Sequence, residues 1–337
     1  MRHILALACA MLLPAATAVQ AEQTLVFASA SSERSPISTK LLSVWVDRIN
    51  ADGAGIIQID FRPGTALANA GNFYDRVSDG VVDMSWGILT QVSGQFQRLT
   101  VMELPFMVDT VSTEDIMPFS LGLWELYNAG MFDEEFRDVV PLFLTTFAQS
   151  PVHLRAPLEN LDDLAGMRII GGGATYAASL AAVGGVPLSI LASDSYEAVQ
   201  RGTADGRIMS WTGIPAFRFD EITKFHLEAP LGTAPGAVII NRATWEGLTP
   251  EARDIIMRNS GEALVREVAE FWIDETTSVR QAMIDAGHTV VSPSPEQLAN
   301  WRERTSPIRE AWVAATPDGA DVMERLNNFV ADYRGNR

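Results

Sequence analysis

Apolar residues in this chain recur in two rhythms, one of short strands and one of helices. Residues 24–30 (TLVFASA) and 56–61 (IIQIDF) read as strands. Between them Ile37, Leu41, Val44, Trp45 and Ile49 recur at helical spacing, which predicts a helix with one buried stripe over 36–50. Pro63 and Gly64 then break the chain, and Asn72 is placed to cap a following helix. Residues 101–108 (VMELPFMV) are apolar and bent at Pro105. A longer strand is expected at 139–148, a short helix from Asn160 with Asp162 and Asp163 to Gly166, a strand at 167–170, and a helix from the Gly171-Gly172-Gly173 run to Val183, closed by Gly184. Residues 236–240 read as a further strand. Thr249-Pro250-Glu251 opens a helix expected to continue, straight or kinked, past Trp272 towards Ala286, and Ser294-Pro295-Glu296-Gln297 opens another with a capping box. Strand–helix units come first and a helix-rich tail last, which is a doubly wound α/β pattern.

One unit occurs twice. Residues 74–86 (YDRVSDGVVDMSW) and 196–211 (YEAVQRGTADGRIMSW) share a tyrosine, an acid, a valine, a glycine, an aspartate and a Ser-Trp pair in the same order. Each reads as a helix end, a glycine cap and a turn into a strand. The copies, centred on Gly80 and Gly202, lie too far apart for a solenoid period, so they predict two similar lobes with a cleft between them.

Composition narrows the classes. The first 21 residues carry Arg2 and His3, an apolar run broken by Pro14, and small residues before Glu22, the pattern of a cleavable secretory signal. The single cysteine, Cys9, lies inside it, so the exported chain folds without disulfides, as suits a bacterial periplasm and a large core. A net charge of −17 over 337 residues argues against nucleic acid and anionic lipid as partners.

Candidate chemistry is sparse. Beyond His3 the histidines are His153, His226 and His288, far apart in sequence and in no metal-ligand spacing, and there is no nucleophile elbow or phosphate loop. No metal or cofactor is expected. Arg168 stands in an apolar strand before the glycine turn, and its planar fork suits a carboxylate; the alternatives are a salt bridge to Asp162 or Asp163 and a solvent-facing strand residue. Trp86 and Trp211 follow the two repeat turns and either face each other across the cleft or fill the cores. Glu33, in the turn SSERSP, either lines the rim or is solvated.

Several segments together resemble the DctP-like substrate-binding proteins of tripartite ATP-independent periplasmic (TRAP) transporters: PGTALANAGNFYDRVSDGVVDM, ELPFMV, LENLDDLAGMRI, VGGVPLSILASDSYEAVQRGTADG and INRATWEGLTPEARDII. The resemblance covers essentially the whole chain after the leader. It implies a two-lobed α/β periplasmic binding protein of type II-like form, with mixed sheets flanked by helices and a long helix bracing both lobes. It also implies closure on an organic acid and delivery to small and large integral membrane subunits that import it on an ion gradient. Members usually hold the carboxylate with the arginine of a Gly-x-Lys-x-Arg pattern. Here Gly166 is followed by Met167, Arg168, Ile169 and Ile170, so the ungapped match puts Ile170 at the arginine and Arg168 at the lysine. A short deletion would bring Arg168 into register. Members also often carry an asparagine after the second Val-Asp-Gly, where this chain reads Arg207-Ile208-Met209-Ser210-Trp211, which favours a ligand with an apolar or aromatic body.

The expectation is therefore a monomeric, non-enzymatic extracytoplasmic receptor. After the signal at 1–21, residues 22–147 and 236–275 form lobe I, and 148–235 and 276–337 form lobe II. Arg168 holds a carboxylate, Trp211, Met209 and Trp86 pack its body, Gln149 adds a hydrogen bond, Glu33 lies at the rim, and Arg155 is the next candidate anchor. A periplasmic lyase or hydrolase, and a sensor subunit presenting a zwitterionic or uncharged solute, are the alternatives.

Overall fold

Eleven strands form two separate sheets in the computed structural model, which describes residues 21–92, 94–107, 111–158, 161–190 and 194–336. In chain order the strands are β1 (Gln23–Ser29), β2 (Ile57–Arg62), β3 (Met84–Ile88), β4 (Val139–Thr146), β5 (Val152–Leu154), β6 (Arg168–Ile170), β7 (Val186–Leu188), β8 (Gly206–Ile208), β9 (Phe225–Leu227), β10 (Pro235–Asn241) and β11 (Thr289–Val291). The first sheet has the order β2-β1-β3-β10-β4 and the second β11-β9-β5-β8-β6-β7. In each, a parallel βα core is joined by strands running the other way: β10 against β3 and β4, and β5 against β8 and β9. The expected mixed α/β architecture of two lobes is present. All of the expected leader except Ala21, together with Val108 and Asn160, lies outside the described residues.

The internal repeat has a physical basis. The Asp83 carboxylate accepts the Val26 N–H at 2.8 Å, and the Asp83 N–H donates to the Val26 carbonyl at 3.1 Å. Asp205 does the same to Arg168, at 2.8 and 2.7 Å. Each aspartate thus staples the turn to the neighbouring parallel strand, at the middle of β1 and at the start of β6. The glycine before each turn, Gly80 at φ 69° and Gly202 at φ 75°, occupies the left-handed region that ends a helix and that a Cβ disfavours.

The helices follow their caps. Thr249 caps Pro250–Arg258 through the Ala252 N–H, and Ser294 and Gln297 close a reciprocal capping box on Pro295–Ala315. Asn72 differs: its side chain accepts from the Asn69 N–H instead of capping the helix Phe73–Ser78. The first stripe also shifts. Ile37–Leu42 wind as a π-helix, with a smaller rotation per residue, so Val46 is buried where Val44 was expected and Val44 is 44 % exposed. The long helix expected from Pro250 is two helices, parted at Asn259 and Ser260 and restarted by Gly261 at φ 65°.

The second of these, Gly261–Asp285, has 25 residues and spans about 37 Å. Leu264, Val265, Val268, Ala269 and Trp272 enter the core of the first lobe, while Val279 and Met283 pack on one face of the second sheet. This is the bracing helix. The second sheet is covered on its other face by Leu164, Tyr176, Leu180 and Trp301. The expected assignment of 276–337 to lobe II does not hold for the last helix, Gly319–Gly335. Its Val322, Leu326 and Val330 return to the first core, beside Gly122 on Ile116–Asn128, because a Cβ at Gly122 would lie 2.6 Å from Leu326 and its absence admits the helix.

Replacing Asp83 by alanine leaves the Val26 N–H without its acceptor and should lower stability by about 1–3 kcal/mol, read as a fall in the urea midpoint with an unchanged slope.

Candidate functional site

Besides the bracing helix and the return of the chain to the last helix, three described stretches run between the lobes. β4 ends at Thr146 and 147–151 lead to β5; β9 ends at Leu227 and 228–234 lead back to β10; and 102–107 place Leu104 in the first core and Phe106 in the second. They are bonded to one another. Ser150 N–H donates to Gly232 O at 3.0 Å, Gly232 N–H to Gln149 Oε1 at 2.8 Å, Thr233 N–H to Met102 O at 2.9 Å and Phe106 N–H to Pro230 O at 2.8 Å. Gly232 sits at φ 116°, and a Cβ there would lie 2.4 Å from the Glu103 carbonyl, so only glycine allows this approach. The crossings stand at the carboxyl ends of the parallel strands of both sheets, where open α/β sheets gather ligands.

Besides Glu228, which is paired with Arg280, Glu103 is a buried acid in this junction. It is 4 % exposed, and its carboxyl bonds Thr90 of the first lobe and Thr175 at the start of helix Ala174–Ala182 in the second. Burial pushes it up to about 7, against the opposing effect of the two threonines. Beside it the buried Tyr176 hydroxyl bonds Ser150 Oγ at 3.2 Å, and burial raises that phenol.

Arg207 is an enclosed cation. It lies on β8, in register with Ile170 of β6 and opposite His153 of β5. Its guanidinium covers the Phe217 ring at 5.2 Å and donates to the Ser195 hydroxyl. Burial pushes it down to about 10. The sequence reading passed over Arg207, although it abuts the position, Ile170, where the resemblance looks for an arginine.

The expected site residues separate into four groups. Arg168 begins β6 at the end away from the crossings, where its guanidinium bonds Asp205 at 2.8 and 3.1 Å and the Gly202 carbonyl at 2.7 Å. This is the salt-bridge alternative, with Asp205 as partner. Arg155 is exposed near the same edge, against Gly202. The tryptophans are interior. Trp86 stacks on Phe143 and Trp272 and reaches Ser31 Oγ at 3.2 Å, while Trp211 lies against His153 and His226 and donates to Glu228 at 3.1 Å. Gln149 and Met209 stand at the crossings: the first straps Gly232, and the second donates its N–H to Pro151 O at 3.2 Å. Glu33 is exposed, over Gly64.

The sequence model of DctP, the bacterial extracellular solute-binding proteins of family 7, matches residues 27–315. The chain belongs to this family. A relative described as outer membrane transporter protein TsaT, from Comamonas testosteroni, is 23 % identical over 96 % of both chains. The C4-dicarboxylate-binding periplasmic protein DctP of Vibrio cholerae is 22 % identical over 82 % of both. Among solved structures, a marine-metagenome TRAP solute-binding protein specific for aromatic acids, crystallised with 3-hydroxybenzoate, superposes with TM-score 0.85 at 25 % identity, over 93 % of this chain and 99 % of that one. A TRAP solute-binding protein from Rhodoferax ferrireducens, with copurified benzoate, gives 0.84 at 25 % identity, over 93 % and 98 %. Family 7 members are solute receptors, and the expected family and two-lobed fold are both shown.

Glu103 makes stability depend on pH. Unfolded, its carboxyl ionises near 4.5; folded, it keeps its proton to about 7. Between those values the fold binds more protons, so stability falls as pH rises through the window, by about 3 kcal/mol for this group. Glu135, also pushed up to about 7 by burial, acts in the same direction. Glu103→Gln should remove its share of the slope in unfolding curves between pH 5 and 8, leaving that of Glu135.

Proposed function

We propose that this chain is the extracytoplasmic receptor of a TRAP transporter for a small organic acid with an aromatic or apolar body. The carrying observation is Arg207, enclosed against Phe217 on the strand beside Ile170. A carboxylate brought to that guanidinium offsets the desolvation that depresses it, and the phenyl face and the neighbouring Ile170 accept an apolar body. In this reading the family's arginine has moved one strand over, from β6 to β8, while keeping its face of the sheet. Two structural relatives at 25 % identity, one specific for aromatic acids and one carrying benzoate, support the same ligand class.

The receptor needs no chemical step. Ligand contacts made by both lobes exist only when they are closed, so the ligand shifts the population towards the closed form. The crossings confine the motion to bending, and the closed surface is what the small and large membrane subunits would recognise. The signal read at 1–21 sends the chain to the periplasm. Glu103 favours a second feature in the ligand, a hydroxyl or ammonium donor opposite the carboxylate, because a buried acid at the junction accepts from such a group.

Benzoate and 3-hydroxybenzoate should raise the melting temperature of the leaderless protein; a concentration 100 times the dissociation constant adds about 2.7 kcal/mol. Arg207→Gln should weaken binding by at least about tenfold, the lower range for a charged hydrogen bond. Arg168→Ala should cost stability and leave affinity unchanged. The reverse pattern returns the anchor to Arg168, and binding of amines alone rejects the acid reading.

A further inference from the structure

The three histidines beyond the leader, remote in sequence, form one continuous chain of hydrogen bonds inside the second lobe. Lys224 Nζ stands 2.8 Å from His288 Nε2; His288 Nδ1 is 2.9 Å from His226 Nε2; His226 Nδ1 is 2.8 Å from His153 Nδ1; and His153 Nε2 is 3.1 Å from the Met209 carbonyl. His226 and His153 oppose each other across β9 and β5, and His288 follows the bracing helix. The relay therefore links both crossings, the exit of the bracing helix and the end of β8.

Its ends set its direction. The Met209 carbonyl only accepts, so His153 carries its proton on Nε2. The Lys224 ammonium only donates, so His288 Nε2 is bare and its proton is on Nδ1. His226 then carries its proton on Nδ1, donating to His153 and accepting from His288. Each ring is neutral with one proton, and every ring nitrogen is used. The other arrangements that keep all four links without a ring anion move the positive charge from the exposed Lys224 onto His288, His226 or His153, all of them buried rings, and desolvation disfavours each. An added proton fits nowhere. Whichever ring takes it, one link then has hydrogens on both sides and opens.

We infer that His153 is a positioning residue of the ligand cleft: through a one-way relay from Lys224 it holds the Met209 carbonyl, and opening a ring-to-ring link, by substitution or by an added proton, removes the support behind that hold. Met209 is the residue by which β8 meets the first crossing, through Pro151, and its sulfur packs against Gly213. The relay thus acts on the cleft wall whatever acid the cleft takes.

The surroundings resist protonation. Burial lowers all three rings, His226 to about 3, and Arg207 on β8 and Lys224 before β9 lower them further. The Met209 carbonyl pulls His153 the other way, and Asp220 does so for His288. Glu228 after β9 is held by Trp211 and by Arg280 of the bracing helix. With folded values below the ordinary histidine value, the unfolded chain takes up protons first as pH falls. Stability from this relay is full above about pH 6.5 and is lost as pH falls below it.

Imidazole nitrogen NMR of the leaderless protein tests the relay without any ligand, with amide exchange at Met209 as the readout of position. The expected result near neutral pH is protons on Nε2 of His153 and on Nδ1 of His226 and His288, with no ring titrating near 6.5. His226→Leu, which cuts both links, should speed Met209 exchange on the order of tenfold, and acid should do the same to the wild type. His226→Gln, which both donates and accepts, should restore protection near neutral pH and shift its acid midpoint. A ring titrating at the ordinary value, or a proton on the other nitrogen of any ring, overturns the relay. Unchanged Met209 exchange in His226→Leu, or equal exchange in the Gln and Leu variants, overturns the positioning role. If His226→Leu does not fold, the wild-type titration and the Gln variant decide.

Discussion

The mutual bonding of the crossings is the constraint on which the rest depends. A two-lobed receptor must let its lobes approach without letting them slide, since sliding would misalign contacts made from both sides. Here 147–151 and 228–234 exchange hydrogen bonds through Ser150, Gly232 and Gln149, and the chain at Glu103 bonds to the second of them. Such a bundle bends more readily than it shears. The bracing helix adds a second limit, because its first half belongs to one core and its second half to the other.

That arrangement also explains where the buried polar groups are. The junction and the carboxyl ends of the strands bring backbone and side chains together from distant parts of the chain, and burial there raises the cost of any group left without a partner. Glu103 meets it by binding threonines from both lobes, and the histidines by bonding in series. Their proton preferences are opposite: the acid holds its proton to about 7, while the rings refuse one well below that value. The rings stay uncharged near neutral pH, and the acid stays uncharged below about pH 7.

Enough of the fold was legible because its cues are local. The Thr249 and Ser294 caps, the glycine turns at Gly80 and Gly202, and the strands at β1, β4 and β10 depend on neighbours within a few residues. The repeated aspartate was visible as a pattern, although only the structure shows that Asp83 and Asp205 staple adjacent strands. Where local cues misled, a longer-range fact intervened: the π-turn before Val44, the break at Gly261, and the return of the last helix to the first core through the gap at Gly122.

The site was less legible, for a reason of register. Arg168 has the flanking residues of a ligand arginine, yet the pairing of β6 with β8 sets it beside Asp205 and sets Arg207 beside Ile170. His153, His226 and His288 carry no spacing signal, because their contact is across strands and not along them. By itself the sequence carried the family, through the resemblance of several segments, and it determined the two-lobed α/β order, the turns and the caps, since these follow from local propensity and from the order of apolar segments. Only the tertiary structure decided which arginine is enclosed, which tryptophans are core and which histidines touch, since one residue of register exchanges the faces of a strand and no local preference sets that register.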